Sequence, residues 1–174
     1  MLEGSYVRLL DLLEAHFSTN EFLFGDRPGR SDFGLYGQLS QLVGWDPTSA
    51  AIAIDRSPRT VSWVARLDDL ASLPDRGDDA WVAAETIPAT TIQLLAEIGR
   101  TYVPFLLANQ HAIDTGADEL SCTIDGIDYR QGPFKYQSKC LGWLRDAYAA
   151  LDHQSRSAVD PILTRTGCAA LFGD

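Results

Sequence analysis

Cysteine is scarce in this chain of 174 residues: Cys122, Cys140 and Cys168 are an odd, widely spaced set with no C-x-x-C pair. A disulfide framework or a thiol metal site would need paired spacing, so reduced thiols in a cytoplasmic protein are the expectation. Long apolar runs are absent as well, and none approaches the ~18 residues that a membrane-spanning helix requires. The N-terminal MLEGSYVRLLDLLEAHF is broken by Glu3, Arg8, Asp11 and Glu14, which excludes a signal-peptide reading. Positive charge is in deficit, 14 basic against 24 acidic side chains, for a formal net charge of −10. That balance repels phosphate backbones and anionic lipid, so neither nucleic acid nor membrane is an expected partner. Repeats, low-complexity segments, G-x-G-x-x-G, Walker and H-E-x-x-H patterns are missing too.

The length suits one domain, or one domain with an appendage, with a core of its own, and 45% hydrophobic residues supply it. Tyr6, Leu9, Leu10, Leu13 and Phe17 recur at helical steps. The stretch FLFGDRPGRSDFGLYGQL, residues 22–39, then stops one helix and starts another. Gly25 can take positive φ, Pro28 presets its own, and Gly29 stands at the N-cap with Asp32 at the third helical position. Phe33, Leu35, Tyr36, Leu39 and Leu42 are expected on the buried side of that helix. Asp46-Pro47, Ser57-Pro58 and Asp160-Pro161 each put a capping side chain before a first-turn proline. Val61, Val64 and Leu67 share a face, with Trp63 flanking it.

Residues 72–80, SLPDRGDDA, have the content of an exposed acidic loop. A long helical pattern follows from about Pro88 to Ile113, with a kink or break expected at Pro104. Asp125-Gly126 between β-branched neighbours signals a hairpin near 121–131. Leu141, Leu144, Tyr148 and Leu151 then restore helical spacing. The expected architecture is mainly α, a helical bundle with one β-hairpin.

Candidate chemistry is sparse, and no residue is singled out as catalytic. Asp32 sits where a structural cap belongs. His111 and Asp114, three apart, lack a third ligand, so no metal is expected. His16 and His153 are read as surface residues at helix ends. Cys140 follows Lys139, a weak pointer to a reactive thiol, though a cysteine on a helix is more often a small apolar side chain. Tyr129, Arg130, Phe134, Lys135 and Tyr136 combine rings and cations; they suit an anionic or aromatic ligand or a partner, or they anchor the hairpin. Tyr102, Phe105 and Asn109, beside Pro104, are a second set of ligand-pocket candidates or core.

Residues 5–71 resemble the all-helical C-terminal domain of glutathione transferases. That family shows a turn of the form F-L-x-G-x-x-P-S-x-A-D-F, matched here by Phe22, Leu23, Gly25, Pro28, Asp32 and Phe33. Pro58, Val61, Trp63 and Arg66 match a later helix. Gly29 departs from the pattern, since the family places Ser or Thr there. From about residue 72 onward, through 81–174, no motif is recognised. The resemblance implies a domain that lines the hydrophobic-substrate side of a transferase and takes part in a homodimer. Glutathione would be a co-substrate held by a thioredoxin-like domain, of which no βαβ pattern is seen before residue 5. The resemblance therefore leaves two expectations: a piece of a longer enzyme, inactive as this chain, or a stand-alone ligand- or protein-binding module.

Overall fold

Helix α1 covers Leu2–His16, and its inward positions Leu10, Leu13 and His16 recur every three residues. The computed structural model describes residues 2–71, 73–74 and 76–173. Three further helices follow, α2 at Arg30–Gly44, α3 at Pro47–Arg56 and α4 at Pro58–Asp68. Asp46 caps α3 as its sequence predicts, accepting the Ser49 N–H at 2.8 Å. Ser57 does not cap α4 in that way, although Pro58 does open the helix. Its hydroxyl turns to Thr60 (2.6 Å) and donates to Glu14 of α1 (3.1 Å). Glu14 supplies the missing cap, accepting the Arg59 N–H at 3.0 Å and pairing with the Arg59 guanidinium. Burial pushes the Glu14 carboxyl up, but these donors outweigh it and hold it below the usual range. A cap of this kind contributes about 1 kcal/mol.

The chain divides into two compact units, Met1–Leu94 and Leu95–Asp174. The first has its core in Leu13, Phe22, Leu39, Trp63, Val64 and Leu67. Trp63 lies inside this cluster rather than flanking it, its ring stacked on Phe17 at 4.7 Å. Phe33, expected on the buried face of α2, is 51% exposed; at the first turn it leans away from a core that Leu39 fills instead. Within the acidic segment expected over 72–80, Ser72 and Asp75 lie outside the described residues, and a short 3₁₀ turn covers Asp78–Ala80.

The second unit takes most of α5, Ala89–Thr115, which runs through Pro104 without a break. Strands β1 (Leu120–Ile124) and β2 (Ile127–Gln131) pair antiparallel with Ile124 opposite Ile127. Asp125 and Gly126 both take positive φ, 54° and 73°, the twist that a two-residue hairpin needs. Helices α6 (Lys135–Ala149) and α7 (His153–Thr166) complete the unit, with a last 3₁₀ turn at Cys168–Leu171. Val103, Leu106, Leu141, Cys168 and Leu171 form its core. Gly99 permits the end of α7 to approach, since a Cβ there would overlap the Thr166 carbonyl.

Two expectations for this unit are corrected. Asp160-Pro161 does not start a helix: α7 begins earlier, where Asp152 accepts the Ser155 N–H at 2.7 Å, and Pro161 is carried inside it. The proline forfeits one bond to the carbonyl of Ser157, an exposed residue that water can satisfy. Leu144 is 45% exposed, because α6 buries Leu141 alone. The protein is thus mainly helical with one two-stranded antiparallel hairpin. Among the described residues no helix is long and apolar enough to cross a membrane.

Candidate functional site

The turn over residues 22–32 is held by buried side chains together with backbone hydrogen bonds. Asp32, fully buried, accepts the Gly29 N–H at 3.0 Å and the Leu23 N–H at 2.9 Å. The Trp63 indole donates to the Glu21 carbonyl (3.2 Å) and Thr91 donates to the Leu23 carbonyl (3.2 Å). His16 Nε2 donates to the Phe22 carbonyl at 3.0 Å, which leaves Nδ1 to accept from the Thr90 hydroxyl at 2.9 Å. That bonding satisfies a neutral imidazole. His16 is therefore no surface residue: it is fully buried, and burial pulls its pKa below the ordinary value while Asp32 partly opposes this. Burial pushes the Asp32 carboxyl up, against the two N–H bonds and His16.

Residues 80–82 close the turn from outside, with Asp26 N–H donating to Ala80 (2.9 Å) and Val82 N–H to Phe24 (3.0 Å). Gly25 has φ +132°, and a side chain there would strike the Ala80 carbonyl. Gly29 is explained by the same segment. A Cβ at 29 would stand 2.9 Å from the Trp81 ring, so any side chain there would press on that indole. The Arg27 guanidinium lies over the same ring, 5.1 Å from its centroid. Gly25, Pro28, Gly29 and Asp32 thus form a turn fixed by Asp32 from within and by residues 80–82 from outside.

The ligand-pocket candidates all belong to the second unit, and three of them meet. Tyr102 stacks on Phe105 at 5.8 Å, and Tyr129 of β2 meets Phe105 edge-on at 6.1 Å. The Tyr102 hydroxyl donates to Gln137 of α6. Burial first, and Cys140 second, push its pKa up, so at neutral pH it remains a hydrogen-bond donor. Asn109 does not join them. Fully buried, it donates to the Phe134 carbonyl at 3.1 Å and accepts the Phe134 N–H at 2.7 Å, fixing the start of α6.

Lys135 and Tyr136 lie apart from these rings, on the exposed side of α6. Tyr136 touches Phe134 (6.4 Å) and meets Trp143 edge-on (6.3 Å). Trp143 is the residue that sequence reasoning missed, and its position seven after Tyr136 was the available signal. This arrangement offers stacking and hydrogen bonding.

Asp114 accepts from Gln110 at 2.7 Å, and His111 is exposed beside it. Among the described residues, no three His, Cys, Asp or Glu are grouped to hold a metal ion. All three cysteines are free; burial pushes the Cys122 thiol up, and Cys168 is buried against the Leu95 carbonyl at 3.4 Å. A cleft of about 380 Å³ lies in the first unit among Phe17, Asn20, Arg59, Ser62 and Arg66. Another of about 200 Å³ lies in the second, where Tyr148 donates to Asp160 (2.7 Å) and stacks on Phe172 (4.4 Å).

Comparison of the chain with protein-family models, with curated proteins and with solved structures finds no match.

Proposed function

We propose that the chain acts as the helical, substrate-side half of a cytoplasmic glutathione transferase-like protein. It contributes walls for a hydrophobic or electrophilic ligand and holds no group that activates glutathione. The observation that supports this reading is the turn from Phe22 to Asp32. Its buried acid caps the following helix through the Gly29 N–H at 3.0 Å, in keeping with the motif on which the resemblance rests. Even the departure at Gly29 has a local cause in Trp81.

On this reading glutathione is a co-substrate held by a thioredoxin-like domain. Its thiolate would attack the electrophile, with the leaving group departing as the C–S bond forms. The chain alone then binds apolar aryl ligands saturably, is not retained on immobilised glutathione, and does not accelerate conjugation of a halonitrobenzene. Conjugation by the isolated chain, or an absence of aryl-ligand binding, overturns the proposal. A second reading, a non-catalytic protein-binding module, is favoured by the exposed rings of α6. A coding region upstream of Met1 with a βαβ thioredoxin-like pattern separates the first reading from the second.

A further inference from the structure

Lysine occurs only twice in 174 residues, at positions 135 and 139. Four apart on α6, the two side chains lie one above the other on a single helix face. Both are exposed, and neither pairs with a carboxylate among the described residues. The Lys139 ammonium instead sits 4.9 Å from the centroid of the Trp143 ring. Around these cations Phe134, Tyr136, Trp143 and Leu144 are 48%, 56%, 52% and 45% exposed. The Phe134, Tyr136 and Trp143 rings are neighbours at 6.4 and 6.3 Å, so they form one row.

A connected row of half-exposed rings is what interaction surfaces present, whereas scattered single apolar residues are ordinary. Tryptophan and tyrosine are also the residues that dominate binding energy at such surfaces. The charge narrows the partner. With Lys135, Lys139, Arg145 and Asp146, α6 is net positive in a chain of net charge −10. Phosphate-rich polymers and anionic bilayers are repelled by the rest of the molecule. A polypeptide with local negative charge can engage the face without meeting that larger field. Two glutamates one turn apart on a helix match the spacing of the two lysines, and leucines beside them would lie on the rings.

We propose that the α6 face formed by Lys135, Tyr136, Lys139, Trp143 and Leu144 docks an acidic amphipathic helix of another protein. The assignment does not depend on the transferase reading. It is tested with the intact chain and a fluorescein-labelled peptide of about 18 residues, long enough to be helical, with glutamates at i and i+4 and leucines alongside. Fluorescence anisotropy should saturate, and binding should weaken as salt is raised. The double variant K135E/K139E should weaken binding about tenfold, and Trp143→Ala about as much. The same peptide with lysines in place of the glutamates should not bind.

Equal binding of the two peptides overturns the proposal, as does unchanged affinity in K135E/K139E, whose exposed positions leave folding intact. Tighter capture by phosphatidylserine vesicles than by the peptide overturns it in favour of a lipid surface. Self-association that K135E/K139E abolishes, without peptide binding, overturns it in favour of a second copy of this chain.

Discussion

Among the described residues, the first unit buries His16, Asp32, Ser57, Thr60 and Thr91, and three of these hold the backbone of one turn. The second buries Asn109 and Thr166; exposed large hydrophobics occur in both, Phe33, Trp45, Ile54 and Trp81 in the first, and Ile98, Tyr102, Ile127, Phe134, Tyr136, Trp143 and Leu144 in the second. Buried polar groups are costly unless bonded, but once bonded they admit few alternative arrangements. Exposed rings add little to folding and remain available for contact. Fixation of a backbone by buried side chains is therefore concentrated in the first unit, and the connected row of exposed rings lies in the second.

The sharpest way to break this contrast is Asp32→Ala. It leaves the Gly29 and Leu23 N–H groups without their acceptor, and should cost about 3 kcal/mol in denaturant unfolding. Faster amide exchange at those two residues would locate the loss, while a change below about 1 kcal/mol would contradict the assigned role. Next comes Gly99→Ala, which forces a methyl group onto the Thr166 carbonyl and should cost about 2 kcal/mol. Gly142→Ala is its control: nothing lies within 4 Å of that site, so α6 should gain roughly 0.5–1 kcal/mol.

Acid should test His16. Its folded-state pKa is lowered, so folding favours the neutral ring. The stability this contributes is complete above the unfolded value near 6.5. It is lost as pH falls from there towards the folded-state value, at no more than about 1.4 kcal/mol per pH unit. His16→Gln should flatten the stability slope between roughly pH 7 and 5.5, whereas an unchanged slope would place the titration elsewhere. The smallest effect belongs to Trp143→Ala, within about 0.5 kcal/mol in unfolding, since half of that ring already meets water. A large loss there would mean that α6 needs the ring for folding, and would sharpen the contrast in the opposite sense.

What was legible in the sequence was local. Asp46 before Pro47, Asp125 before Gly126, and Asp32 three after Gly29 each act on neighbours along the chain, and all three behave as their spacing predicts. Distant partners were not legible. His16 reads as a polar residue at a helix end until Thr90 and the Phe22 carbonyl close around it. Ser57 reads as a cap because nothing nearby says that Glu14 will take that duty. Asp160-Pro161 failed for a different reason: a cap eight residues earlier had already begun the helix. At the candidate site, Tyr129 stood out from a mix of rings and cations, whereas Tyr102 and Phe105 were singled out for standing beside Pro104, where α5 runs on without a break. The outward direction of Trp143 and Leu144 depends on which side of α6 the core takes, and periodicity cannot choose between sides.

The indole of Trp81 against Gly29 has an evolutionary consequence. Serine or threonine at position 29 is compatible with this backbone only if the residue at 81 becomes smaller or swings away. The two sites should therefore change together during divergence, and a lineage that acquires a hydroxyl at 29 should lose or move the tryptophan.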